Sequence, residues 1–331
     1  MIARAFAVVL ISTLAAVATA NQTYLVIISG LGGEDRYRER FHQWSLAMRE
    51  AALTDAAVPE DNIFYLAEKV ELSPELVHAK STKDNVIALF EKIQKKVRPG
   101  DQLYVLLIGH GSFRSEQSRF NLPGPDLTAE DFDAILAPFG EQQIVFVNTS
   151  SASGNFVRIL SGPNRIVATA TKSGYERNES QFGKYFVEAY SGDGADTDKN
   201  ERVSVLEAYT YARIRVKGYY DEENLLQTEH SMLDDNGDGE GSHEPSENEG
   251  NLASTAYLMG DAAVAEGFGE ADIAADPELA ALVEKRRELE GRVVALRQQK
   301  DSMPEDLYMQ ELEQVLLELA RVTASIEEKR Q

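Results

Sequence analysis

The chain has 331 residues, 43% of them hydrophobic and 27% charged, enough for one good-sized globular domain plus an appendage. Its net charge is −22 and it has no cysteine, so neither a disulfide nor a cysteine nucleophile is available. From Gly218 to Glu284 there are 18 Asp/Glu and no Lys or Arg, a segment that repels phosphate backbones and anionic headgroups; nucleic acid is not an expected partner, whereas divalent cations and basic surfaces are.

In chain order, Met1-Ile2-Ala3-Arg4 is a short positive start and Ala5 to Val17 an apolar stretch. Ala18-Thr19-Ala20 then fits small-x-small cleavage, so residues 1–20 read as a signal peptide. The apolar run is shorter than the roughly 20 residues needed to span a bilayer. The expectation is an exported protein, periplasmic or secreted, with no membrane span once the signal is cleaved.

Tyr24–Ser29 is a continuous apolar run, followed by Gly30-Leu31-Gly32-Gly33 and a helix through Leu53. Asn62–Leu66 is a second strand, and Thr82–Val97 a helix with Val86, Leu89, Phe90 and Ile93 on one face. Leu103–Ile108, Ile144–Val147 and Arg165–Thr171 are three further strands, with a polar loop and a helix between the first two of these; a sixth is placed at Ser254–Leu258. Continuous apolar strands separated by helices predict an α/β fold, a mostly parallel sheet covered on both faces. That domain spans residues 21–262, with acidic loops over 193–250 around one helix, Val203–Val216. Over 271–331 a helical hairpin or coiled coil is expected. It opens with Asp276-Pro277 and carries Leu282, Leu289, Val293 and Leu296, and it restarts at Ser302-Met303-Pro304-Glu305 with Leu312, Leu316, Leu319 and Ile326. It either packs on the domain or pairs with another copy.

Two strand ends carry the chemistry. The third strand runs into Gly109-His110-Gly111-Ser112 and the fourth into Asn148-Thr149-Ser150-Ser151-Ala152-Ser153-Gly154. Parallel strands deliver their carboxyl-end residues to a common rim, where ligands usually bind. A strand ending His-Gly-Ser, then one ending in a small-residue x-Ser-Gly turn, resembles the legumain/caspase superfamily of cysteine peptidases. Tyr24–Gly33, Tyr37-Arg38, Thr82-Lys83-Asp84-Asn85-Val86 and Arg165–Glu176 extend that resemblance over residues 23–260. It implies a caspase-like three-layer α/β/α fold. It also implies that His110 stands at the catalytic histidine and Ser151 at the catalytic cysteine, that the Gly111 N–H helps hold an oxyanion, and that Arg38 lies in the pocket for a substrate side chain.

The departure from that pattern decides the expected chemistry. Forming a thiolate at neutral pH costs roughly 2 kcal/mol, and a hydroxyl adds about 1.36 kcal/mol for every further pKa unit. A serine needs a base bonded directly to it and a third group orienting that base. The expected role is therefore a non-catalytic homologue that binds a protein or peptide and associates with itself or a partner through its C-terminal helices. The alternative is a hydrolase using Ser151 with His110, in which Ser150 or Ser153 would serve equally.

Asp196–Glu207 also fits a twelve-residue calcium loop, with Asp196, Asp198, Asn200, Arg202, Ser204 and Glu207 at positions 1, 3, 5, 7, 9 and 12, although Glu201 stands where glycine is usual. Ca2+ is thus the one expected cofactor. The competing reading is a capping box between Ser204 and Glu207. Asp234–Gly239 resembles the start of a similar loop, with Pro245 at position 12. His42 and His78 read as surface residues, and His230 and His243 lack metal-type spacing.

Overall fold

The structure is a computed structural model that describes residues 22–192, 194–200, 202–246, 249–258, 268, 273, 275–298 and 303–329. The expected signal, residues 1–20, lies outside the described residues, as does the expected domain boundary at residue 262.

Seven strands form the main sheet. They are β1 (Thr23–Ser29), β2 (Ile63–Ala67), β3 (Ala79–Lys80), β4 (Gln102–Ile108), β8 (Gln143–Asn148), β9 (Arg165–Thr169) and β10 (Met232–Asp234). Their order is β10-β9-β8-β4-β1-β2-β3, and every pairing is parallel except that of β10 with β9. All seven residues of β1 are buried, because both sheet faces are covered. Leu25 and Ile27 face one core and Tyr24, Val26 and Ile28 the other. On the first face lie α1 (Asp35–Thr54), α5 (Phe182–Tyr190) and α6 (Val205–Glu222). The second face is covered by α2 (Lys83–Gln94), α3 (Ala129–Leu136) and α4 (Asn155–Leu160). This is the expected three-layer α/β/α architecture around a mostly parallel sheet.

Three details differ from the sequence reading. The polar loop after the third main-sheet run holds a small antiparallel sheet, β5 (Gly111–Arg114), β6 (Gln117–Phe120) and β7 (Leu127–Thr128). Its hairpin turns through Ser115 and Glu116, both at positive φ, without the glycine or asparagine that usually marks such a turn. The strand expected at Ser254–Leu258 is a series of turns with one bridge, Tyr257 to Ser204; the last strand is β10 instead, three residues long and too short to show a pattern. His42 is not a surface residue: it is buried at 9% exposure, between the Tyr65 hydroxyl at 2.9 Å and Ser73 Oγ at 3.0 Å.

The C-terminal helices α7 (Pro277–Gln298) and α8 (Glu305–Glu328) form the expected hairpin. Leu279, Val283, Leu289, Val293 and Leu296 pack with Tyr308, Val315, Val322 and Ile326, and Lys329 closes the open end on Asp276 at 2.8 Å. Leu316, placed on the seam by the sequence reading, is 44% exposed; Val315 takes its place. Pro304 stands at the N-cap of α8, and the capping box expected from Ser302 and Glu305 falls outside the described residues. Among the described residues no helix is long and apolar enough to cross a membrane.

Candidate active site

The register of the central strands brings the two motif loops together. β4 and β8 pair Leu107 with Asn148, and the Thr149 N–H donates to the Leu107 carbonyl at 3.0 Å. Both strands then release their chains at the same rim, beside the Gly30–Gly33 turn that follows β1. The chain reverses its direction of sheet growth between β1 and β4, the position at which open α/β sheets usually bind ligands.

Ser151 and Gly111 meet there. The Gly111 N–H donates to Ser151 Oγ at 3.4 Å, and the Ser151 hydroxyl donates to the Gly111 carbonyl at 3.3 Å. Only glycine fits at 111, since a Cβ would lie 2.0 Å from the Ser151 carbonyl oxygen. The neighbouring hydroxyls are also engaged: Ser150 donates to Asn148 Oδ1 at 2.7 Å, and Ser153 Oγ lies 3.1 Å from Thr171 Oγ1.

The His110 ring is held differently. Tyr37 and Phe41 of α1 stand edge-on to it, with centroids 4.6 and 5.0 Å away. Burial lowers its pKa below the usual histidine value, opposed by the charge of Glu179 and by a hydrogen bond with the Gly32 backbone. Among the described residues no hydrogen bond joins the ring to a serine hydroxyl or a carboxylate. Glu179 is occupied elsewhere, accepting from the Tyr37 hydroxyl at 2.9 Å and pairing with Arg40.

Arg38 reaches Glu68 at 3.0 Å and also pairs with Asp35. Glu68 is buried and accepts the Gly32 N–H at 2.9 Å, so the arginine's charge is matched within the protein. No sequence signal marked Glu68, which simply follows β2.

The loop after β9 is locked to the serine turn. Thr171 Oγ1 accepts from the N–H groups of Ser153 at 2.8 Å and Gly154 at 3.1 Å, and the Ala152 N–H donates to the Glu176 carbonyl at 2.7 Å. The close approach explains Gly154, whose Cβ would lie 2.2 Å from the Lys172 carbonyl carbon. Ala152 sits at φ 55°, a left-handed conformation unusual for alanine. On the outer side of this loop Tyr175 is 69% exposed, edge-on to Phe113 at 5.0 Å, with the Arg177 guanidinium 5.9 Å from each ring.

Two carboxylates that the sequence did not single out brace this side. Glu176 bonds His230 Nδ1 at 2.6 Å. Glu229, 2% exposed, accepts from the Ser180 hydroxyl at 2.7 Å and from the N–H groups of Gln181 at 2.7 Å and Phe182 at 3.2 Å. Burial pushes its pKa up despite those donors.

In the first acidic loop the carboxylates of Asp196, Asp198 and Glu207 converge, with ligand atoms within 4.8 Å of one another. Glu207 also completes the capping box with Ser204, accepts from the Thr197 N–H and hydroxyl at 2.9 Å, and so has both oxygens hydrogen-bonded. The Asn200 N–H points to Asp196 and Asp198, at 3.1 and 3.2 Å. The Arg202 guanidinium lies over the Tyr257 ring at 4.3 Å. In the second loop Asp234, Asp238 and Glu249 converge in the same way. Burial raises the Glu249 pKa to about 8, with the charges of Asp234, Asp235 and Asp238 adding to it.

No family model matches the chain and no curated protein matches it. Among solved structures it is similar to the crystal structure of drICE, a caspase, at 11% identity and a TM-score of 0.35, over 61% of this chain and 86% of that one.

Proposed function

We propose that the chain is an exported legumain/caspase-like peptidase homologue that binds a protein or peptide and does not hydrolyse it. The observation that carries this reading is the engagement of Ser151: its hydroxyl donates to the Gly111 carbonyl, and among the described residues no base is bonded to it. A serine without a bonded base has too high a pKa to act as a nucleophile near neutral pH. The absence of cysteine removes the alternative nucleophile. The pairing of Arg38 with Glu68 and Asp35 supports a rim built for contact with uncharged or mixed side chains, and exposed Tyr175 offers an aromatic surface beside it. The Met1–Ala20 pattern supports export, and the apolar positions left exposed on α8 support self-association. Calcium at Asp196, Asp198 and Glu207 belongs to the same reading as a structural ion, supported by the twelve-residue spacing.

Incubation with a broad fluorogenic peptide library, with and without calcium, tests the reading alongside fluorophosphonate labelling. The expected result is no cleavage above a Ser151→Ala control and no adduct. Cleavage lost in Ser151→Ala, together with labelling of Ser151 lost in His110→Ala, would establish the serine hydrolase instead.

A further inference from the structure

The second acidic loop differs from the first in one respect that bears on ligands. Both carboxylate oxygens of Glu249 are buried, and among the described residues neither has a hydrogen-bond partner. The Ser242 N–H bears on Glu249 but is committed to the Leu233 carbonyl at 2.7 Å. Glu249 shares its site with Asp234, which is fully buried, and with Asp238; ligand atoms of the three lie within 4.8 Å of one another. A buried carboxylate without a donor, facing two further carboxylates, is costly unless a cation sits among them.

The surrounding chain is arranged to create this convergence. Asp234 accepts the N–H groups of Gly237 at 3.0 Å and Gly239 at 2.8 Å, curling the loop around its carboxylate. Gly237 and Gly239 both sit at positive φ, which glycine adopts freely. Asp235 points the other way and accepts the N–H groups of Gly250 and Ala253, each at 2.8 Å. That pair of bonds delivers Glu249 to the loop. Asp235 is thus a positioning residue, and Glu249 supplies from outside the loop the carboxylate that Pro245 could not.

We propose that Asp234, Asp238 and Glu249 form a binding site for a divalent cation of the calcium type. Oxygen ligands on opposite sides of a calcium ion lie about 4.6–5.2 Å apart, twice the usual bond length, and three carboxylates with ligand atoms within 4.8 Å of one another fit inside that span. An all-oxygen set disfavours zinc, which prefers nitrogen and sulfur. The ion ties the loop after β10 to the segment whose Ala256 and Ala253 carbonyls accept the Val205 and Leu206 N–H groups, at 2.8 and 3.0 Å, in the first turn of α6. It therefore fastens one edge of the sheet to a helix of the first face.

Thermal unfolding of the full chain after chelation, then with added calcium chloride or magnesium chloride, tests this. Calcium is expected to raise the midpoint of the wild type by several degrees, with magnesium giving less. Glu249→Gln should unfold no earlier than the wild type without metal, since it removes a buried charge, and should lose the calcium response. Asp198→Asn, in the first loop, should keep at least part of it. A wild type indifferent to calcium, a full calcium response in Glu249→Gln, or a response abolished by Asp198→Asn would each overturn the assignment.

Discussion

Tyr37 stands edge-on to the His110 imidazole at 4.6 Å between centroids, while its own hydroxyl donates to Glu179 at 2.9 Å. The aromatic ring keeps water from the histidine, and its hydroxyl keeps the nearby carboxylate off it. Tyr37→Ala should raise the His110 pKa toward the ordinary histidine value, because desolvation is the largest cause of its depression. Tyr37→Phe, which keeps the shielding ring but frees Glu179, should raise it less. Imidazole chemical shifts followed through a pH titration report both, and an unchanged pKa in Tyr37→Ala would refute the shielding role.

Acid should weaken the fold through its buried histidines. His42 and His110 both have folded-state pKa values lowered by burial. Between the folded value and the unfolded value of about 6.5, the unfolded chain binds more protons. Their contribution is therefore full above that unfolded value and is lost as pH falls through the folded one. Denaturant unfolding at pH 7.5 and pH 5 should show the loss, and His42→Gln should show less of it. Glu229 acts in the opposite sense: its raised pKa adds stability at low pH that is lost as pH rises through its folded value.

Gly154→Ala should cost about 3 kcal/mol, as expected for overpacking that a close backbone approach cannot relieve. The Cβ would meet the Lys172 and Ser173 backbone at 2.2 Å. Gly140→Ala, with nothing within 4 Å of the added carbon, should change stability little. Urea midpoints measured side by side separate the two.

Self-association should reside in the hairpin. Met309, Leu316 and Leu317 are exposed on α8, at 56%, 44% and 53%. A chain ending at residue 262 should sediment as a monomer and unfold within a few degrees of the full chain. Leu316→Asp with Leu317→Asp should lower the association of the full chain at least tenfold. Equal sedimentation of all three would place association elsewhere.

The central strands and the helix α2 were readable because each declares itself over five or more residues: Tyr24–Ser29 and Leu103–Ile108 are unbroken apolar runs, and Val86, Leu89, Phe90 and Ile93 repeat at helical spacing. That the loops after β4 and β8 meet was readable because they follow adjacent parallel strands; the contact they make is between Gly111 and Ser151. What escaped depends on contacts between distant residues. Glu68 is defined by Arg38 and the Gly32 N–H, Glu176 by His230, and Glu249 by a path through Asp235 and Gly250. None of these leaves a periodic trace in the sequence. β10 failed for another reason, being only three residues long and held by pairing with β9.

Glu229 has a consequence for the integrity of the molecule. Its carboxylate grips Ser180, Gln181 and Phe182 at the start of α5, the strand after it zips onto β9, and α6 packs against the same core as α5. Between α6 and Glu229 the chain bulges outward, with Leu225 and Leu226 at 54% and 86% exposure. Peptide-bond continuity there should be dispensable to the folded body. A protease that severs the chain at Leu226 should leave two fragments that travel as one particle on a sizing column and part only in denaturant.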